Sequence, residues 1–140
     1  MPNGRSRLTW EESCMRLACN IAHYRSEDPY VQVGACIIKK DHSILLGYNG
    51  APPEIEIDWS NRDERRKRVI HAEENVLDEV KFGEVKIMAV TALPCDKCMR
   101  IIAKKGVKIV YYKDELAGYD NTFAKQLAKE FGIKLIHMPL

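Results

Sequence analysis

The chain has 140 residues, 46% apolar and 30% charged, and its 22 basic against 20 acidic side chains give a formal net charge of +2. That length buries one core without disulfides or a second domain, so a single domain over residues 1–140 is expected. The charge balance speaks against a wholesale nucleic-acid binder, and no apolar run approaches the ~20 residues of a membrane span. The opening MPNGRSRLTWEES has no apolar stretch of the secretory kind. The five cysteines (14, 19, 36, 95 and 98) are therefore expected in a reducing, cytoplasmic setting, without disulfides.

Thr9-Trp10-Glu11-Glu12 reads as a capping box. Behind it Met15, Ala18, Cys19 and Ala22 recur at helical spacing, which predicts a helix over 10–24. Cys14, Cys19 and Cys36 sit in apolar patterns and read as small buried hydrophobes. Apolar runs at 33–38 and 44–48, split by a polar turn at 39–42, predict an antiparallel hairpin. Residues 49–68 have no clear period. They hold Pro52-Pro53, Trp59 and a charge run from Asn61 to Arg68, so a functional loop or a short helix is expected. A helix over 71–80, a strand over 85–91 and a helix over 95–105 closing on Gly106 follow. A strand over 108–112, a helix over 122–131 and a strand over 134–137 complete the chain. Helical crossovers between the last three strands require them to run parallel with helices on both sheet faces. The expected fold class is α/β, a three-layer α/β/α domain.

Two segments carry chemistry: His71-Ala72-Glu73, and Pro94-Cys95-Asp96-Lys97-Cys98. Each falls at a predicted helix N-terminus. Cysteines at i and i+3 share a helix face and can point at one atom. The free N–H groups and positive dipole end there favour the thiolate that a metal needs. A Cys-x-x-Cys alone also fits redox chemistry or structural zinc. His71 adds a third ligand, and three protein ligands leave the open fourth position of a catalytic zinc site. His23, His42 and His137 lack motif spacing and read as ordinary histidines. In the first helical turn, the Glu73 carboxylate can reach a water at the metal without ligating the metal itself. H-x-E paired with P-C-x-x-C is the signature of zinc nucleobase deaminases. In that chemistry water attacks C4 of cytosine while the glutamate moves its protons to N3 and to the departing amine.

On these residues the chain resembles the deoxycytidylate (dCMP) deaminases of the cytidine deaminase superfamily. The resemblance rests also on Arg25-Ser26-Glu27-Asp28-Pro29, Gln32-Val33-Gly34-Ala35, Gly47-Tyr48-Asn49-Gly50, His71 to Asn75, and the stretch from Gly106 to Tyr112. The loop around Trp59 is most similar to short viral members, whose setting is the host cytoplasm. The resemblance implies a cytidine-deaminase-like fold with a mixed five-stranded sheet. It implies deamination of dCMP to dUMP, supplying deoxyuridylate for thymidylate synthesis, with Glu73 catalytic and one zinc held by His71, Cys95 and Cys98. It further implies that Asn49 contacts the sugar, that the Ala72 backbone orients the base, and that Arg25, Tyr112 and Lys113 lie near the phosphate and ring. A homo-oligomer is implied as well.

Two departures from the family pattern stand out. Many members carry a basic residue eleven positions after the zinc histidine, associated with control by dCTP and dTTP; here that position is Phe82. Residues 51–69 hold none of the cysteines and histidines that some relatives use for a second zinc, so one metal per chain is expected. Arg65-Arg66-Lys67-Arg68 reads as a solvated face, with a triphosphate contact as its alternative. Rival readings are a deaminase of cytidine, dCTP or a polynucleotide base, and a structural zinc module that binds a partner. A polynucleotide substrate wants a basic groove with stacking aromatics, for which only the arginine run and Trp59 speak.

Overall fold

In a computed structural model the described residues are 6–140, so the first five residues of the polar N-terminus lie outside them. The elements are α1 (Trp10–Arg25), β1 (Gly34–Lys39), β2 (Ile44–Tyr48), α2 (Arg62–Arg68), α3 (Ala72–Leu77), β3 (Val85–Ala92), α4 (Asp96–Lys104), β4 (Ile109–Asp114), α5 (Asn121–Glu130) and β5 (Lys134–His137). The Thr9 hydroxyl accepts from the Glu12 backbone N–H at 3.1 Å, so the predicted N-cap starts α1.

The five strands form one sheet in the order β2-β1-β3-β4-β5. β1 pairs antiparallel with both β2 and β3, and β4 pairs parallel with both β3 and β5. The sheet is mixed, as expected for a hairpin followed by helical crossovers. Period-two alternation divides the core between its faces. Ala35 and Ile37 of β1, with Met88 and Val90 of β3, join a cluster with Val76, Met99 and Leu127 from α3, α4 and α5. The intervening Cys36, Ile38, Ile87 and Ala89 meet Cys14, Met15 and Ala18 of α1 on the other side. The result is three layers: α1, the sheet, and the α3-α4-α5 face.

Cys14 and Cys36 are fully buried, the Cys14 thiol donating to the Cys36 carbonyl at 3.2 Å, while Cys19 is half-buried. The aperiodic stretch before α3 does contain a helix, α2. Asn61 caps it, accepting from Glu64 N–H at 3.1 Å, and the helix buries none of its residues. α3 is shorter than the predicted 71–80. It stops at Leu77, and the Val80 N–H turns back onto the Leu77 carbonyl at 3.0 Å, keeping Val80 in the core as the chain swings toward β3.

Two close approaches require glycine. A Cβ on Gly34 would run into the Ala18 carbonyl of α1. A Cβ on Gly47 of β2 would lie 2.6 Å from the Ala72 carbonyl and 2.9 Å from the Val76 Cβ. The bare backbone of β2 therefore sets how closely the first turn of α3 lies on the sheet.

Candidate active site

His71 and Cys95 occupy the same structural position in two different helices. Each is an N-cap with extended backbone (φ −73°, ψ 152° and φ −72°, ψ 174°), and neither side chain caps its helix. An N-cap side chain ordinarily turns back to the free N–H groups of its own first turn. These two turn outward to each other instead. His71 Nδ1 lies 3.5 Å from Cys95 Sγ and 3.2 Å from Cys98 Sγ, which α4 presents one turn further on. The three ligand atoms lie within 4.8 Å of one another, the one such group among the described residues.

These separations suit zinc. A tetrahedral ion with ordinary Zn–S and Zn–N bonds holds its ligand atoms roughly 3.5–3.8 Å apart, and a Cys2His donor set with a fourth position open is a catalytic arrangement. The two thiols differ more than their shared motif implies. Hydrogen bonding from the Cys98 thiol, then from His71, pulls Cys95 down to about 4, against the cost of burial. Cys98 is driven up, because it supplies that hydrogen bond and is itself buried near Glu73. The His71 imidazole is raised, chiefly by its bond to Cys95. The two thiols are thus tied by one hydrogen bond that lowers Cys95 and raises Cys98, and metal binding must displace the proton they hold between them.

Glu73 follows two residues after His71 and is 4% exposed. Burial is the main reason that its carboxyl is pushed up to about 7, with the His71 imidazole pulling the other way. A carboxyl poised near neutrality both accepts and returns protons. It faces a cleft of about 490 Å³, open mouth included, whose walls also carry His71, Cys95, Asn49, Asp28 and Tyr119.

Ala72 and Asn49 line the same cleft. Asn49 Nδ2 donates to the Val31 carbonyl at 2.6 Å, and its Oδ1 accepts from Val33 N–H at 2.9 Å and from the Ser26 hydroxyl. Asn49 thus pins the 31–33 wall and keeps one amide N–H to donate. Arg25, Tyr112 and Lys113 do not line the cleft, although Lys113 lines a neighbouring cavity that shares Ala92 and Leu116 with it. Arg25 lies over the Tyr48 ring, 5.8 Å from its centre. Tyr112 is buried on the sheet face under α5, stacked on His137 with ring centres 5.1 Å apart. Lys113 pairs with Asp114 at 3.7 Å beside Cys19 and His23. Phe82 is exposed, its ring edge against Gly106.

Asp28 and Tyr119 are wall residues that sequence reasoning did not single out. Asp28 is 5% exposed and accepts from the N–H groups of Tyr30 and Val31 at 2.8 and 3.1 Å. An acidic residue before proline reads as a turn former, and nothing local marks it as buried. Tyr119 lies in the loop after β4 and reaches the cleft only through tertiary folding.

Residues 8–114 match the family described as the cytidine and deoxycytidylate deaminase zinc-binding region. The chain belongs to this family. Human deoxycytidylate deaminase is 33% identical over 132 residues, a match covering 86% of this chain and 74% of that relative. ComE operon protein 2 of Bacillus subtilis is 30% identical over 142 residues, covering 96% of this chain and 74% of that protein. Among solved structures, the dCMP deaminase of cyanophage S-TIM5 in complex with dCMP and dUMP superposes with a TM-score of 0.73 at 28% identity, over 94% of this chain and all (100%) of that one. The family's zinc-binding region includes His71, Cys95 and Cys98, and its mixed sheet is the one found here.

Proposed function

We propose that the chain, acting as one domain over residues 1–140, hydrolyses dCMP to dUMP and ammonia. The observation that carries this reading is the buried Glu73 carboxyl in a cleft it shares with the His71, Cys95 and Cys98 ligand set. The choice of dCMP draws support from the named deoxycytidylate deaminases among the relatives and from the nucleotides bound to the cyanophage enzyme.

His71, Cys95 and Cys98 would hold zinc, which supplies Lewis acidity to a water molecule. Glu73 accepts one proton from that water as its oxygen bonds to C4 of the cytosine ring, and delivers the proton to N3. It then carries the remaining hydroxyl proton to the exocyclic amine, so that the C4–N bond breaks and ammonia leaves with C4 as a carbonyl. Every proton in the sequence comes from the one water consumed. The Ala72 backbone and the free Asn49 N–H serve the base and sugar. The setting is cytoplasmic, supported by five free cysteines; no helix among the described residues is long and apolar enough to cross a membrane. The working form is a homo-oligomer.

The test is turnover of deoxycytidine, dCMP, dCTP, CMP and a cytosine-containing single strand, comparing wild type with Glu73→Gln. The expected result is dCMP turnover that drops by about 10²–10⁴-fold in the variant, with zinc content unchanged. A zinc-loaded wild type that turns over none of the panel removes the reading.

A further inference from the structure

A second cavity, lined by Arg62, Arg65, Arg66 and Tyr119, adjoins the deaminase cleft, with Asp28, Val31, Val69 and Tyr119 forming walls of both. Its basic side comes from α2. Arg62 and Arg66 are four residues apart and so share a face of that helix. Both guanidinium groups reach the same loop. A Cβ on Gly118 would lie 3.3 Å from Arg62 Nη2 and 3.6 Å from Arg66 Nη2, and the Gly118 φ of +84° is one that glycine adopts freely. Arg66 also lies over the Tyr119 ring at 5.3 Å. Arg65 is held nearby, over the Tyr30 ring at 4.4 Å and donating to the Trp59 carbonyl at 2.8 Å.

Among the described residues none of these three arginines forms an ion pair, whereas Arg68, on the same helix, pairs with Glu64 at 4.0 Å. Bringing two unpaired guanidinium groups to one glycine costs repulsion, which an anion between them would convert to attraction. The acidic residue in the shared wall, Asp28, already has one carboxylate oxygen committed to two backbone N–H groups.

We propose that Arg62 and Arg66, braced by Tyr119, form the subsite for the 5′-phosphate attached directly to the sugar of the nucleotide. The subsite rests on the deaminase reading above and gives that reading its preference for a nucleotide over a nucleoside. The planar, forked guanidinium donors match phosphate oxygens two at a time.

The experiment measures binding of dUMP, dUTP and deoxyuridine to the zinc-loaded full chain by calorimetry, in wild type, in Arg62→Gln/Arg66→Gln and in Arg68→Gln. Because α2 buries no residue and glutamine keeps helix propensity, the double variant is expected to melt with wild type. The expected result is dUMP and dUTP affinities lower by about ten- to a hundredfold, with the deoxyuridine affinity held. Arg68→Gln leaves all three in place, and Arg62→Lys/Arg66→Lys recovers part of the loss. Equal loss for deoxyuridine, no loss at all, or loss confined to dUTP overturns the subsite. Turnover run alongside separates the two levels. Normal dCMP turnover with an unaltered preference over deoxycytidine in the double variant sinks the subsite and spares the deaminase reading. Absence of turnover on every cytosine nucleotide sinks both. A single strand preferred over dCMP, with that preference lost in the double variant, assigns the arginines to a polynucleotide backbone and overturns the mononucleotide subsite.

Discussion

Glu73 combines burial with an ionisable head, and its stability consequence has a definite sign. Its folded carboxyl, pushed up to about 7 from 4.5, holds a proton that the unfolded chain has released. Between those values the folded state binds more protons, so stability of the metal-stripped protein falls as pH rises through this window, and the penalty is complete above it. Glu73→Gln removes the penalty. The metal-stripped variant is therefore expected to exceed wild type in urea midpoint at about pH 8, by at most on the order of 3 kcal/mol, and to converge with it near pH 4. A difference that is constant across pH would trace the effect to shape rather than charge. At this scale His71, Glu73, Cys95 and Cys98 were all legible, because their spacing alone restricts the chemistry. Asp28 was not, since its burial depends on walls supplied by distant segments. Nor was the opposite pull on the two thiols: helix position favours both thiolates, while the hydrogen bond between Cys95 and Cys98 lowers the one and raises the other.

The elements were read more securely than their ends. Period-two and helical patterns located all five strands and four of the five helices, and the fifth, α2, fell inside the stretch expected to be a loop or a short helix. The misplaced ends matter, because His71 and Cys95 lie just outside their helices as N-caps rather than inside them. That extended backbone frees the two side chains to face each other. The same scale assigns a role to Gly47, whose missing side chain admits the first turn of α3. Gly47→Ala is expected to destabilise by about 1–3 kcal/mol, since backbone rather than a flexible side chain occupies the space. By moving Ala72 and Glu73 relative to α4, it should also lower kcat/KM for dCMP by at least about tenfold. Full activity with unchanged melting would mean that α3 slides on β2 without consequence for the site.

In the molecule as a whole, the α3-α4-α5 face is covered, while edge strand β2 leaves Ile44 and Leu46, on the opposite face, each 44% exposed. Apolar side chains in that position favour self-association through a symmetric surface. Sedimentation velocity is expected to give a multiple of the chain mass, and a strictly monomeric species across micromolar concentrations would remove the homo-oligomer from the proposed function. By itself the sequence determined the α/β class, the order of the strands along the chain and the residues that could hold a metal, with Glu73 as the acid proposed beside them, because local period and motif spacing are properties of neighbours in the chain. Tertiary structure alone decided which walls meet at the cleft. Asn49 closes its hydrogen bonds across to residues 31 and 33, and Tyr112 turns beneath α5 by strand parity. Arg62 and Arg66 converge on a loop more than fifty residues away, a distance along the chain that only the folded sheet closes.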